Sequence, residues 1–183
     1  MIAYAITDPL TLDFRTLHQD LQLFSQKADM ILYRDKKNAN YANDAHAFVR
    51  EASQHGFKEV LVHREPQLAK ALGASGVHLS SDQISQISLA KELGLFVVVS
   101  THSLAEIRAS ALLGADMVTF SPIFFTPDKG VPKGIVLLKE VVKESPLPII
   151  ALGGILSSEE VDACKEAGAA GFASIRYFKT NKG

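Results

Sequence analysis

The chain has 183 residues, 47% hydrophobic and 21% charged, with a net charge of −1. That length suits one domain with a sizeable core, and the composition is that of a globular rather than a disordered chain. The near-zero charge gives no electrostatic basis for a nucleic-acid or anionic-membrane partner, and the single cysteine, Cys164, excludes an internal disulfide and a cysteine-built zinc cluster.

The opening residues MIAYAITD are too short and uncharged for a signal peptide, and no uninterrupted apolar run approaches roughly 18 residues, so a soluble cytoplasmic protein is expected. From there one unit recurs: a short β-branched run, a polar turn, a helix-period stretch, a glycine, and the next run. The runs are Ala3–Thr7, Met30–Arg34, Glu59–His63, Gly76–Ser80, Phe96–Thr101, Met117–Ser121, Pro148–Leu152 and Gly171–Ile175, eight in all. Between them, Phe14, Leu17, Leu21 and Phe24 share one helical face, as do Tyr41, Ala45, Phe48, Val49 and Ala52, and later Leu104, Ile107 and Ala111. Ser103 with Glu106 and Ser157 with Glu160 are capping-box patterns at helix starts. Gly56, Gly73, Gly94, Gly114 and Gly168 stand where helix C-caps belong. Cys164 lies on a helical stripe and reads as a small buried hydrophobe.

Strands alternating with helices predict a parallel sheet, and eight of them predict a closed (β/α)8 TIM barrel, a single domain over residues 1–183. An open doubly wound sheet is the alternative. The barrel is minimal, since such barrels typically run to about 250 residues. After the eighth run only Arg176–Gly183 remain, so the last helix is expected to be short or missing. The first and seventh helices would then be underpacked on one side, a gap that a homo-oligomer contact would cover.

The chemistry of such a barrel sits at the carboxyl ends of its strands. The residues expected there are cationic and hydroxyl-rich, with few carboxylates. Arg34, Lys36 and Lys37 close the second run with three cations in four residues, a set suited to a diphosphate. The stretch Met117–Gly134 passes from a buried strand into a long loop rich in proline and glycine, where Lys129, Lys133 and Thr126 suit an anionic small molecule such as a phosphate. Gly153-Gly154, just before a capped helix, suits backbone contact with a phosphate at the helix N-terminus. His63 ends the third run beside Arg64 and faces the rim, whereas His78 lies within an apolar run and His102 just before a helix cap, both structural positions.

Five segments, taken together and in order, resemble a known family. They are Tyr33-Arg34-Asp35-Lys36, Leu72 to Leu79, Val99 to Ser103, Phe120 to Lys129, and Ile150-Ala-Leu-Gly-Gly-Ile155. The family is that of thiamine phosphate synthase and its relative TenI, the thiazole tautomerase, and the resemblance covers nearly the whole chain. It implies a (β/α)8 barrel. It also implies a synthase reaction that joins a hydroxymethylpyrimidine diphosphate to a thiazole phosphate, expelling pyrophosphate with the help of Mg2+. By this resemblance Arg34, Lys36, Ser100 and Lys129 hold the diphosphate, and Thr126, Gly153, Gly154, Ile175 and Arg176 surround the thiazole phosphate.

The chain also departs from the family pattern. Leu32 stands where the synthase has Gln, Val62-His63-Arg64 where it has Asn-Asp-Arg, and Arg176 where it has Ser. The second metal aspartate falls on Gln83, with Asp82 one residue early, and Thr-x-Thr-Lys has become Thr126-Pro127-Asp128-Lys129. Magnesium favours oxygen ligands over a histidine. These losses point towards TenI, although the histidine that TenI uses for proton transfer falls here on Pro122. The expectation is therefore a TenI-like protein of thiamine biosynthesis that binds a small phosphorylated heterocycle. His63 and Lys129 are its catalytic candidates, His63 because a free imidazole titrates near neutrality. One alternative is a true synthase with Mg2+ at a rebuilt site using Asp82 and Asp35. The other is a non-catalytic regulatory protein that keeps only the phosphate-ligand grip.

Overall fold

A computed structural model describes residues 1–179. Eight parallel strands close into a barrel in sequence order, β1 to β8. They are β1 (Ile2–Ile6), β2 (Met30–Tyr33), β3 (Glu59–His63), β4 (Gly76–Leu79), β5 (Phe96–Thr101), β6 (Met117–Phe120), β7 (Ile149–Leu152) and β8 (Gly171–Ser174). Seven helices separate them: α1 (Leu17–Ser25), α2 (Tyr41–Ala52), α3 (Pro66–Leu72), α4 (Ile87–Glu92), α5 (Leu104–Leu112), α6 (Gly134–Glu144) and α7 (Ser158–Glu166). The sequence-predicted runs match all eight strands within a residue or so at each end. No described helix is long and apolar enough to cross a membrane.

The two-residue alternation of a strand sends one side chain inward and the next outward, so the barrel has two cores. Tyr4, Ile6, Met30, Leu32, Leu61, Val98, Ile150 and Ala173 fill the interior. The outward set, including Ile31, Val62, Val77, Val97, Val99 and Val118, packs against Phe24, Phe48, Ile107 and Leu138 of the helices. Burying each such side chain stabilises the fold by roughly 1.5–3 kcal/mol. Cys164 is fully buried on α7, and burial pushes its thiol up to about 11, so it is a packing residue and not a nucleophile.

The local signals act largely as the sequence predicts. Ser103 accepts from the Glu106 N–H, and Ser157 and Glu160 form the reciprocal capping box of α7. The glycines after α3, α4, α5 and α7 take left-handed backbone, while Gly56 does not. Phe14 departs from the predicted face of α1. It falls in a 3-10 turn, Phe14–Thr16, stays 39% exposed, and meets the Tyr33 ring edge-on at 5.8 Å.

Among the described residues no helix follows β8, and residues 180–183 of the expected tail lie outside them. The turn after β8 instead folds back on the barrel. Phe178 is fully buried and stacks on outward-facing Phe172 at 5.5 Å, with Tyr177 edge-on to both rings. Aromatic packing thus covers part of the face that a final helix would occupy.

Closure depends on β8, which pairs with β1 through Ile2↔Gly171 and with β7 through Ile150↔Gly171. A Cβ on Gly171 would lie 2.6 Å from the Ile2 carbonyl oxygen and 2.6 Å from the Ile150 Cδ1. Gly171→Ala is therefore predicted to destabilise the protein by about 2 kcal/mol, the usual scale of overpacking. Urea unfolding measures it; an unchanged midpoint would mean that the closing seam yields freely.

Candidate functional site

Inside the upper barrel the apolar filling gives way to a string of polar side chains. The Tyr4 hydroxyl lies 2.8 Å from His78 Nδ1, and His78 Nε2 lies 2.9 Å from the Ser100 hydroxyl. His63, aligned with His78 across β3 and β4, sets its ring edge-on to His78 at 6.4 Å. Thr119, aligned with Ser100, is fully buried, and its hydroxyl has no hydrogen-bond partner among the described residues. His78 is thus the core histidine that the sequence predicts, and it also orients Ser100. Burial, then His63, then Arg34 hold its imidazole down at about 3, so it is neutral.

Around this string the rim is crowded with cations. Arg34 is half-buried at the end of β2; burial lowers its pKa and Asp8 partly offsets this. The Lys36 ammonium is held below its ordinary value first by Arg34, then by burial, then by Lys129 and Arg64. The expected ligand residues Arg34, Lys36 and Lys129, from two separate loops, therefore share one electrostatic neighbourhood with Arg64. Arg64 stands in left-handed backbone (φ 68°), with its N–H donating to the His78 carbonyl and its carbonyl accepting from the Gln83 side chain. Its guanidinium grips both oxygens of Asp82 at 3.1 and 3.3 Å.

His63 is buried at the end of β3 beneath these charges. Its imidazole is lowered to about 3 by burial, then by Arg34, Lys36 and Arg64. This corrects the expectation that His63 titrates near neutrality: in the free site it stays neutral and is a weak base. Its backbone N–H donates to the Tyr41 hydroxyl at 2.9 Å, and that hydroxyl donates to the Tyr33 carbonyl at 2.9 Å. Tyr41 therefore ties the start of α2 to the ends of β2 and β3. A cleft of about 440 Å³ opens there, lined by Asp35, Lys36, Asn38, Tyr41, His63, Arg64 and Glu65. Sequence reasoning took Tyr41 only as a helix-face residue, and nothing in its periodicity marks the hydroxyl as a positioning group.

The loop over residues 121–134 is pinned at both ends. Ile123 and Phe124 donate to the carbonyls of Leu152 and Gly153, and Lys133 and Gly134 donate to those of Pro122 and Ile123. Gly153 (φ 107°) and Gly154 (φ 69°) lie directly beneath it; a Cβ would stand 2.8 Å from Pro122 Cα at the first and 2.5 Å from the Phe125 carbonyl oxygen at the second. The loop's own packing thus demands both glycines. The expected helix N-terminal grip is also partly taken, because Glu160 already accepts from the N–H groups of Leu156 and Ser157. Lys133 points its ammonium over the Phe120 ring at 5.2 Å, and Phe120 belongs to the outer core, so this lysine does not serve the mouth. Thr126 donates to the Phe124 carbonyl at 3.2 Å, Ile175 packs on the inner core, and Arg176 is exposed. His102 is structural: its N–H donates to Glu106 at the start of α5.

The residues at the mouth do not fit Mg2+. Asp82 is engaged by Arg64, His63 is a buried nitrogen donor, and among the described residues no three metal-ligating groups converge there.

Comparison with known proteins places this geometry in context. Residues 3–178 match the family described as thiamine monophosphate synthase. A thiamine-phosphate synthase of Nitrosococcus oceani is 33% identical over 94% of this chain and 82% of that protein. One from Anaeromyxobacter dehalogenans is 40% identical over 63% of this chain, and the match spans only 54% of that relative's length. The solved structure of thiamine phosphate pyrophosphorylase from Pyrococcus furiosus superposes with a TM-score of 0.81 at 23% identity, over 97% of this chain and 90% of that one, a likeness of fold.

The two buried imidazoles give stability a direction with pH. Their folded pKa values, about 3, lie below the ordinary 6.5, so below that value the unfolded chain takes up protons that the native state does not. The stability they contribute is full above pH 6.5 and is lost as pH falls towards 3. Between pH 7 and 5, above the carboxylate range, unfolding free energy should fall with a slope of up to about 1.4 kcal/mol per pH unit for each imidazole. His63→Ala should flatten the curve measured by denaturant unfolding; a wild-type curve level over this interval contradicts the burial.

Proposed function

The chain belongs to the thiamine monophosphate synthase family, and from that premise we propose that its barrel mouth binds a thiazole phosphate and acts in the manner of TenI, without a divalent cation. The observation that carries this reading is the crowding of Arg34, Lys36, Arg64 and Lys129 above His63. Like charges this close raise the free energy of the empty site, and an anion between them relieves it. The phosphate is met by Arg34, Lys36 and Lys129, with Ser100 held in place by His78. The ring occupies the space over Ser100 and His63. A bound phosphate offsets the field of Arg34, Lys36 and Arg64, which adds to burial in lowering His63, so the imidazole becomes more basic when substrate arrives. It can then take a proton from the ring and return it elsewhere, which is the requirement of a tautomerisation.

A second reading rests on the relatives, which are thiamine-phosphate synthases by name. Under it the same cations hold a pyrimidine diphosphate and neutralise the leaving pyrophosphate. Assays separate the two. The first reading predicts turnover of a thiazole carboxylate phosphate, lost in His63→Ala, with no thiamine phosphate formed from the two synthase substrates and Mg2+ even at high enzyme concentration. Formation of thiamine phosphate would replace it with the second. Calorimetry tests the shared premise: Arg34→Ala and Lys129→Ala should each weaken thiazole phosphate binding at least tenfold, about 1.4 kcal/mol. Binding without turnover in either assay would leave a phosphate-ligand-binding protein, and undiminished affinity in both variants would refute the cation grip.

A further inference from the structure

We propose that His18, Glu51 and His55 form a binding site for one zinc-class divalent ion on the outer helical layer, joining α1 to the end of α2. His18 lies in the first turn of α1 and Glu51 in the last turn of α2. His55 follows on the turn beyond, where its N–H donates to the Ala52 carbonyl, so it stays on the same face as Glu51, four residues earlier. None of the three lines the cleft at the barrel mouth.

The donors converge on one point. His18 Nδ1 lies 2.6 Å and His55 Nε2 3.2 Å from the same oxygen, Glu51 Oε1, and the three ligand atoms all lie within 4.8 Å of one another. A tetrahedral zinc ion with bonds of about 2.0–2.1 Å needs its ligand atoms roughly 3.3 Å apart. The His55–Glu51 pair already meets that spacing. His18 must retreat by several tenths of an ångström, and its side chain, 63% exposed, is free to do so, while His55 is only 10% exposed and Glu51 22%. Two held ligands and one adjustable ligand suit capture of an ion.

Two imidazole nitrogens and one carboxylate oxygen, with the fourth position left to water, favour zinc and its neighbours over magnesium, which demands oxygen ligands. Buried Cys164 does not compete for the ion. The ion would clamp the first turn of α1 to the end of α2.

The test uses the full chain freed of metal by a chelator and titrated with Zn2+ alone, with Co2+ as a spectroscopic probe. Expected are one equivalent bound, a melting temperature raised by Zn2+ and not by Mg2+, and the intense visible absorption of four-coordinate Co2+. His18→Ala, at an exposed position, should weaken binding at least tenfold without altering the circular dichroism of the fold, and Glu51→Gln should do the same. Absence of saturable one-to-one binding, affinity unchanged in both variants, or weak six-coordinate Co2+ absorption would each overturn the proposal.

Discussion

The repulsion among Arg34, Lys36, Arg64 and Lys129 is the constraint on which the mouth of this protein depends. Arg34 is half-buried among these cations and only partly offset by Asp8, and Arg64 is paired with Asp82, so the crowding carries a cost that these carboxylates reduce. That cost has two visible consequences. Lys36 gives up its proton more readily than an ordinary lysine, and the same cations add to the burial that keeps His63 neutral. Under the proposed function, a negative charge entering the mouth offsets the cations' share of both shifts and leaves the burial of His63 in place.

The fold supports this arrangement through backbone contacts more than through side-chain pairing. The parallel register aligns His63 with His78 and Ser100 with Thr119, so the polar string crosses four neighbouring strands, β3 to β6. Tyr41 joins two strand ends to α2, and the 121–134 loop is tied to the end of β7 by hydrogen bonds that run directly over the two glycines. Arg64 is the exception. Its left-handed backbone is held by Gln83 and the His78 carbonyl, and its side chain is fastened to Asp82, the carboxylate that a metal-dependent reading would require.

The strands and most helices were legible because burial leaves a pattern: continuous β-branched runs such as Phe96–Thr101, buried on both faces of the barrel wall, and the helical spacing of Ala45, Phe48, Val49 and Ala52. The rim cations were legible too, since their distance along the chain from a strand end fixes the face on which they emerge. What periodicity cannot encode is direction within a loop. Lys133 stands only four residues from Lys129, yet it turns to the Phe120 ring. The glycine pair read as a phosphate cradle, but the loop that passes above it already requires both residues. The acidity of His63 was misread for a similar reason: its value depends on cations brought together from separate loops, which no local pattern records.

The most direct measurement is the titration of the His63 imidazole by nuclear magnetic resonance, in the free protein and with thiazole phosphate bound. The free protein should keep His63 neutral well below pH 6, in line with a value lowered to about 3, and bound phosphate should raise that value. A free-protein titration near the ordinary imidazole value, or one that the phosphate leaves unmoved, would contradict this.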